Sequence, residues 1–432
     1  MKRLVSSLSP IFDTYLYYFL LTLVLIMPLH AFLSISLGQI TDNQAAWQAW
    51  KEVGLVLGTI AAAGLFVAQK KTRDSLVSQP AVWSATAFGI VAIVVSLANR
   101  AVGIQSFLLG AKTTLAFLVL FIAVQTISFT SERWNSLIKT LLFISSAVGA
   151  FAVAQVYLLP PDFLARFGYN TTTVIPFHLV DPAVDSIRVI ATFSGPNQLG
   201  SFMIIPFILS LWFVLRKTWL ALIPLGLTGF ALFHSFSRSA WIGAVIAIFI
   251  TLLIRLRGWW KLTLIAPLVA MAIVANILSG PVRSMSTDLT FYVFHGQFVD
   301  GRSNGSDSNR IANAQYGVTK IQDQPLGYGL GTAGPASKNN ATPVITENSY
   351  LQIGIESGVI GLLLFGLTLL LTMIALIKRF NVVDEAKPLL AILLGLSASN
   401  LFLHTWSDSA TALVLWGLMG YCLTASHARG KP

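Results

Sequence analysis

The sequence predicts an all-α, polytopic integral membrane protein, and three observations support this fold class. Hydrophobic residues make up 55% of the 432 residues and charged residues only 10%, with a mean hydropathy of +0.74. An ordinary soluble domain has about 25% charged residues, so this composition excludes a soluble enzyme and a disordered chain. The apolar residues form runs close to the length of about 20 residues that a helix needs to cross a bilayer. Lys and Arg lie mainly between alternate runs, as expected for cytoplasmic loops.

Apolar runs that are broken by charges, prolines or polar clusters predict about twelve transmembrane helices. They cover residues 14–37, 53–68, 80–98, 106–127, 137–158, 197–215, 219–234, 240–254, 262–278, 349–377, 388–404 and 409–424. The first run is too long for a cleavable signal peptide, and no small-residue cleavage site follows it. The seventh and eighth runs together are too long for one crossing, so we expect a tight hairpin between them.

The distribution of basic residues predicts that both termini are cytoplasmic. With the N-terminus inside, the inner segments hold 17 of the 28 Lys and Arg residues but five of the 17 acidic residues. This topology accounts for the formal charge of +11, so the charge does not indicate a nucleic-acid partner. The single cysteine, Cys422, excludes a disulfide framework and a cysteine-based metal site.

Two long outer loops divide the chain into five regions. These are an N-terminal five-helix region at 1–158, an outer loop at 159–196, central helices at 197–278, a large outer loop at 279–348 and C-terminal helices at 349–432. The first outer loop ends in a segment in which Pro196 is well placed to begin a helix. Ser194 or Asn197 is expected to cap that helix.

The large outer loop contains one segment with a helical pattern. The polar stretch 300–309 predicts a mobile loop. In residues 310–323 the apolar residues Ile311, Ala314, Val318 and Ile321 recur at helical spacing. We therefore expect an amphipathic helix that packs on the outer face of the bundle. The Gly/Pro-rich segment 325–335 is expected to end it.

Three arginines on the predicted outer side run against the usual charge distribution. Arg238 lies in SFSRSAW between two spans, where it either anchors a helix end at the interface or binds an anion. The neighbouring Ser237 would add a hydroxyl donor. Arg188 and Arg310 each begin a segment that leads back toward the membrane, although an isolated outer arginine is commonly just solvated.

Several other polar residues near the outer face admit two interpretations. Glu347 precedes the tenth span, where it is either a helix cap or a general base facing the same cavity as the arginines. Glu356 is deeper, and we expect it to pair with an arginine or, less plausibly, to join the site. His404, Trp406 and Asp408 are interpreted mainly as interfacial residues. The sequence contains no histidine or carboxylate pattern with metal-ligand spacing, and we expect neither a metal nor a cofactor.

This set of residues favours a phosphate-bearing ligand at the membrane surface. Guanidinium groups bind phosphate bidentately and stay protonated. A lipid-linked pyrophosphate is a good leaving group, so two or three arginines would stabilise the departing charge. The remaining requirement is a base for an acceptor hydroxyl, and Glu347 is placed for that role.

Three motifs together resemble the O-antigen ligase and O-antigen polymerase superfamily over about residues 188–377. The first two are SFSRSAW and RVIATFSGPNQLG. The third is an arginine that twelve residues separate from DQPLGYGLG, followed by ENSYLQIGIESGVIGLLLF. The resemblance implies a GT-C-type inner-membrane enzyme that transfers glycan from undecaprenyl pyrophosphate outside the cytoplasmic membrane, without metal and with inversion. Arg238 and Arg310 match the essential arginines of that family, and Arg188 matches a further basic residue. Glu347 stands where ligases commonly have histidine.

The resemblance implies an O-antigen ligase-like glycosyltransferase, with a repeat-unit polymerase as the alternative. Its expected catalytic residues are Glu347, Arg238 and Arg310, and its further substrate-binding residues are Arg188, Ser237, Asn197, Asn348 and Tyr350. The expected partners are the lipid-linked glycan donor, the bilayer, and a hydroxyl of lipid A-core, of another glycan, of a wall polymer or of a protein. A transporter or flippase is the rival from another class. It would require paired broken helices and charges near mid-bilayer, and the sequence indicates neither.

Overall fold

The computed structural model describes residues 2–99, 103–181, 184–256, 305–340 and 342–425. Its helices are α1 Lys2–Ile26, α2 His30–Thr41, α3 Gln44–Ala68, α4 Lys70–Val77, α5 Pro80–Ala98, α6 Ile104–Thr114, α7 Ala116–Val124, α8 Ser131–Tyr157, α9 Pro196–Leu215, α10 Leu222–His234, α11 Arg238–Arg255, α12 Gly305–Asp323, α13 Ser349–Lys378, α14 Ala386–Ser399 and α15 Ser409–Leu423. The predicted ninth span, 262–278, and residues 279–304 of the large loop lie outside the described residues.

The described helices make this a polytopic membrane protein. Each of the eleven predicted spans that falls in the described ranges coincides with helical structure. Within those ranges, seven helices are long and apolar enough to cross a membrane, or eight if the bent pair α6 and α7 forms one span. The apolar helices 219–234, 386–399 and 409–423 are shorter. The count of twelve therefore stays a prediction.

One short β-hairpin departs from the all-α prediction. Strands β1, His178–Asp181, and β2, Val184–Arg188, pair antiparallel within the first long loop, with His178 opposite Arg188. Pairing the two strands satisfies their backbone groups. The hairpin delivers Arg188 to the beginning of the segment that enters α9.

Small residues set the closest helix contact in the bundle. A Cβ on Gly243 of α11 would lie 2.8 Å from the carbonyl oxygen of Gly395 of α14, and a Cβ on Gly395 would overlap the carbonyl oxygen of Gly243. Close backbone approach at small residues is typical of helix packing in membranes. This contact fixes α11, whose first residue is Arg238, against the C-terminal helices.

Two helices are broken at the same place, which the sequence did not indicate. The axes of α6 and α7 differ by 47°, and α13 is interrupted at Gly358, where φ is 70°. The Gly/Pro-rich segment 325–331 fills the gap: Tyr328 N–H donates to Ile355 O (2.8 Å), and Val359 N–H donates to Pro325 O (2.9 Å). Protein backbone rather than lipid thus satisfies the groups that the break exposes.

Glu356 joins the two breaks, and within the described residues it does so without the arginine partner that we expected. Its carboxylate is fully buried and accepts hydrogen bonds from Thr114 Oγ1 (2.8 Å) and from Gly331 N–H (2.9 Å). Neutral donors at the end of α6 and in the inserted segment therefore take the role of a charged partner. Glu356 is a structural link between α6, the inserted segment and α13.

We expect Gly331→Ala to destabilise the protein by about 3 kcal/mol, since overpacking and a left-handed backbone each cost about 1–2 kcal/mol. The φ of Gly331 is 83°, and a Cβ there would overlap the carbonyl oxygen of Ser106 in α6. The measurement is the thermal unfolding midpoint in detergent. Gly366→Ala is the matched control, because no atom lies within 4 Å of the Cβ it would add. Equal midpoints for the two variants would contradict the close packing of segment 325–331 against α6.

The amphipathic helix of the large loop begins earlier than predicted. Helix α12 starts at Gly305, so residues 305–309, which were expected to be loop, are helical, and Arg310 lies in the second turn. The face that contacts the bundle matches the predicted one at Ile321 but not at Val318. Gly317 lies against Thr346 and Ile321 lies against Gly354, whereas Val318 is 45% exposed.

Candidate active site

Arg188 connects the β-hairpin to two helix ends. Its Nε donates to Ser235 O (3.1 Å), and its Nη2 donates to Asn197 Oδ1 (2.9 Å). The next residue, Val189, donates its N–H to His234 O (2.9 Å). Burial and the nearby Arg188 guanidinium lower the pKa of His178, the partner of Arg188 across the hairpin. Arg188, Asn197 and the turn between α10 and α11 therefore form one cluster.

The turn between α10 and α11 is as tight as the sequence predicts. Only residues 235–237 separate the two helices, and Phe236 adopts a left-handed backbone conformation with φ 47°. Ser237 is the N-cap residue of α11 and its Oγ lies 3.3 Å from Ser239 Oγ. Trp241 donates its Nε1–H to Leu232 O (3.1 Å), which ties the two helices together.

Arg238 is the first residue of α11 and is partly buried. A positive charge at a helix N-terminus is unfavourable because the helix dipole places its positive end there. Helix stability therefore does not explain the residue. The same positive dipole end together with a guanidinium is well suited to an anion.

Helix α9 begins at Pro196, as predicted, but its N-cap differs from the expectation. The N-cap residue is Gly195, and neither Ser194 nor Asn197 supplies a side-chain cap. The side-chain Oδ1 of Asn197 instead accepts the hydrogen bond from Arg188, and Asn197 lines the large cavity described below. Asn197 thus connects the arginine cluster to that cavity.

Glu347 lines the same cavity and does not cap α13. The cap is Asn348, whose Oδ1 accepts from the N–H groups of Tyr350 (2.9 Å) and Leu351 (3.0 Å). Glu347 itself has a left-handed backbone with φ 49°. A non-glycine residue in that region costs about 1–3 kcal/mol and is concentrated at functional sites. The structure thus excludes the interpretation of Glu347 as the helix cap, and its role as a general base stays a prediction.

Asn348 and Tyr350 make hydrogen bonds that hold α13 against the loop before α15. Asn348 Nδ2 donates to Leu401 O (3.0 Å), and the Tyr350 hydroxyl donates to Ser397 O (2.8 Å). Ser349 N–H also donates to Leu403 O (3.2 Å). These contacts place the segment that carries Glu347 beside residues 400–404.

The cavity has a volume of about 610 Å³. Pockets that bind small ligands have volumes of about 300–1,000 Å³, so it is large enough for a sugar and a phosphate group together. The charged, amide and imidazole side chains that line it come from α2, α3, α6, α9, the 3₁₀ turn Gly334–Asn339 and the segments before α13 and α15: His30, Gln44, Gln48, Lys51, Lys112, Asn197, Gln198, Lys338, Glu347, His404 and Asp408.

Position 310 is near this region through the packing of α12. Arg310 is seven residues, or about two turns, before Gly317, and Gly317 lies against Thr346 and Leu351. Thr346 is the neighbour of Glu347 in the chain. Helix α12 therefore lies along the segment that carries Glu347.

The sequence did not identify the basic lining residues as site residues: His30, Lys51, Lys112, Lys338 and His404. The three lysines were counted only as part of the overall charge balance. The signal that could have found them is the charge pattern itself, because Lys51 and Lys338 are basic residues on the predicted outer side and Lys112 is a charge inside the predicted fourth span.

Trp406, which we interpreted as mainly interfacial, is buried, whereas His404 and Asp408 are half-buried and line the cavity. Trp406 is 2% exposed and packs between the rings of Phe117 (6.3 Å) and Trp416 (5.9 Å). Neither ring nitrogen of His404 has a hydrogen-bond partner among the described residues. Burial, together with the charge of Lys338, lowers the pKa of His404 to about 4, so its imidazole is neutral at pH 7.

Asp408 has a local structural role at the same place. It is the N-cap of α15, and its Oδ2 accepts from Thr411 N–H (3.1 Å) and from Thr411 Oγ1 (2.6 Å). Burial raises the pKa of its carboxyl group despite these hydrogen bonds. In the described part of the chain, no three His, Cys, Asp or Glu side chains are grouped to hold a metal ion.

Comparison with known protein families gives a match for part of the chain. Residues 223–366 match the family model described as O-antigen ligase. The matched segment contains α10, α11, α12 and the first part of α13, and with them Arg238, Arg310 and Glu347. No curated protein sequence matches the chain. The match confirms the resemblance carried by the motifs, and it assigns residues 223–366 to the O-antigen ligase superfamily.

Proposed function

We propose that this protein is a membrane glycosyltransferase that moves a glycan from a polyprenyl pyrophosphate, such as undecaprenyl pyrophosphate, to an acceptor hydroxyl. The observation that carries the proposal is the convergence at one cavity. Asn197, which is bound by Arg188, and Glu347 both line it, although 150 residues separate them in the chain. The site belongs to the outer face of the cytoplasmic membrane, with both termini cytoplasmic.

The arginines bind and stabilise the leaving group. Arg188 and Asn197 hold the entrance of α9 against the hairpin, and Arg238 at the start of α11 faces the pyrophosphate together with the hydroxyl of Ser237. Arg310 of α12 completes the set. As the bond between the anomeric carbon and the phosphate oxygen breaks, negative charge grows on the pyrophosphate, and guanidinium groups stabilise it.

Glu347 activates the acceptor. Its carboxylate takes the proton of the acceptor hydroxyl while the hydroxyl oxygen attacks the anomeric carbon from the side opposite the leaving group. The products are the lengthened acceptor, with inverted configuration, and the free polyprenyl pyrophosphate. Asn348 and Tyr350 support this step by fixing the backbone on both sides of Ser349.

The broken helices do not favour the transporter alternative. Transporters of the broken-helix type bind substrate at the breaks near mid-bilayer. Here residues 325–331 fill the breaks, and backbone hydrogen bonds occupy the exposed groups. The large cavity instead lies between the first half of α2 and the beginnings of α3, α9 and α15.

The test is a transfer assay with purified protein, a synthetic undecaprenyl-pyrophosphate oligosaccharide and EDTA. A ladder of lengthened, carrier-linked glycan identifies a polymerase. Transfer only after addition of lipid A-core identifies a ligase. Binding of the donor without any transfer to a glycan, a lipid or a protein would contradict the proposal. Transfer that requires a metal ion would contradict the proposed mechanism.

We expect Arg310→Lys to lower kcat by at least about tenfold, because an ammonium group cannot reproduce the bidentate guanidinium contact with phosphate. The measurement is the transfer rate at saturating donor. The reciprocal exchange Lys320→Arg on the same helix is the control, since Lys320 lies over the rings of Tyr316 and Tyr328 and an arginine keeps that contact. Full activity of Arg310→Lys would show that charge alone suffices.

A further inference from the structure

One wall of the cavity carries three lysines that the proposed reaction does not use. Lys51 belongs to α3, Lys112 to α6 and Lys338 to the 3₁₀ turn Gly334–Asn339. These elements differ from α9 and the α10–α11 hairpin, which carry the arginine cluster. The amide side chains of Gln44 and Gln48 line the same wall.

Lys51 bonds to neighbouring residues of this wall rather than to a ligand. The residue is 4% exposed. Its Nζ lies 2.8 Å from Gln48 O, 2.9 Å from His30 Nε2 and 3.2 Å from Glu52 Oε1. An ammonium group has three N–H donors, and these three neighbours account for them.

Lys112 shares the carboxylate of Glu52 with Lys51. Its Nζ lies 2.9 Å from the same Oε1 atom, and its side chain is 32% exposed. Two lysines on one carboxylate leave a net positive charge, and Glu52 takes one of the three donors of Lys112. Within the described residues Lys112 has no other ion-pair partner, so two of its donors are directed to the cavity or to water.

Lys338 lies on the same wall as Lys112 because the 3₁₀ turn is tied to α6. Ser106 Oγ donates to Asn340 Oδ1 (2.6 Å), and Asn340 Nδ2 donates to Gly331 O (2.9 Å). Lys338 has no salt bridge in the part of the chain that the structure describes. The acidic residues that line the cavity are occupied otherwise: Asp408 caps α15, and Glu347 is the proposed base.

We propose that Lys112 and Lys338 bind an anionic group of the acceptor, a carboxylate or a phosphate monoester on the sugar next to the attacking hydroxyl. The inference rests on the proposed function, because the acceptor is the second substrate of the transfer. Ammonium groups on flexible stems bind a single anion without strict geometry, unlike the arginine forks that suit the pyrophosphate. The two lysines would thus select acidic acceptor glycans over neutral ones.

The experiment compares two trisaccharides in equilibrium binding to the full chain in detergent. One ends in a hexuronic acid, and the other is its carboxyl-reduced, neutral counterpart. We expect the wild type to bind the acidic trisaccharide about tenfold more tightly, which corresponds to about 1.4 kcal/mol. The double variant Lys112→Gln, Lys338→Gln is expected to bring the ratio close to one and to leave the affinity for undecaprenyl pyrophosphate unchanged.

Two further variants keep the test decisive. Lys338→Gln alone changes an exposed residue, so it is expected to fold and to lower the preference about threefold. Lys378→Gln, an exposed residue at the other end of α13, is the control and should keep the full preference.

The outcomes separate this inference from the proposed function. Equal wild-type affinities for the two trisaccharides would overturn the inference whether or not transfer occurs. A loss of donor affinity in the double variant would also overturn it, because the lysines would then serve the pyrophosphate. A preference that depends on Lys112 and Lys338, without transfer to any acceptor, would support the anion subsite and refute the transferase.

Discussion

Arg238→Ala is expected to lower kcat for glycan transfer by about 10²–10³-fold, the usual effect of removing one group that stabilises developing charge. Arg238 is the first residue of α11, in a turn of three residues that is fixed by Arg188 and by Trp241. Its alternative role as an interfacial anchor predicts a different result, namely lower insertion with normal specific activity. Transfer per correctly inserted molecule is therefore the quantity to measure.

Arg255→Ala is the matched control for this change. Arg255 is the last residue of the same helix, is exposed, and donates to Leu215 O at 3.4 Å. It lies at the end of α11 opposite to the cavity, so its removal should leave transfer within about twofold of the wild type, as for most exposed residues. Near-normal transfer by Arg238→Ala would remove Arg238 from the mechanism.

Glu347→Gln is expected to reduce turnover by about 10²–10⁴-fold, the range for removal of a general base. The amide has almost the size of the carboxylate, so the left-handed backbone at this position and the cap formed by Asn348 should persist. The affinity for the lipid-linked donor should change less than about threefold, because the arginines carry that contact. Rapid-quench measurement of a single turnover separates the two effects.

Glu132→Gln serves as the control, since Glu132 is an exposed residue in the first turn of α8. Unchanged single-turnover rates for Glu347→Gln would show that another group takes the proton. His404 would then be the next residue to replace, because it lines the same cavity and its imidazole is neutral.

Hydropathy and turn chemistry predicted much of the architecture. All eleven predicted spans in the described ranges are helical, α9 begins at Pro196, and a tight turn joins α10 to α11. These features depend on neighbouring residues in the chain. Apolar runs must become helices in a bilayer because only internal hydrogen bonds can satisfy the backbone there. Proline at a first helical position needs no N–H donor.

Several of the errors concern choices between nearby residues. The sequence allowed Ser194 or Asn197 to cap α9 and Glu347 to cap α13, whereas the structure uses Gly195 and Asn348. Propensities do not distinguish between adjacent capping residues, because the register of a helix end depends on its packing. Helix α12 was predicted to begin at 310 and begins at Gly305 for the same reason.

The sequence by itself determined that this is a polytopic helical membrane protein with the motifs of a superfamily. It also identified the candidate arginines and the candidate base. Only the tertiary structure decided which side chains share a cavity. Glu356 links Thr114 to Gly331, Arg188 binds Asn197, and Lys112 and Lys338 meet on one wall. These contacts join segments that are far apart in the chain. Local periodicity carries no information about such pairs, because they depend on how whole helices pack.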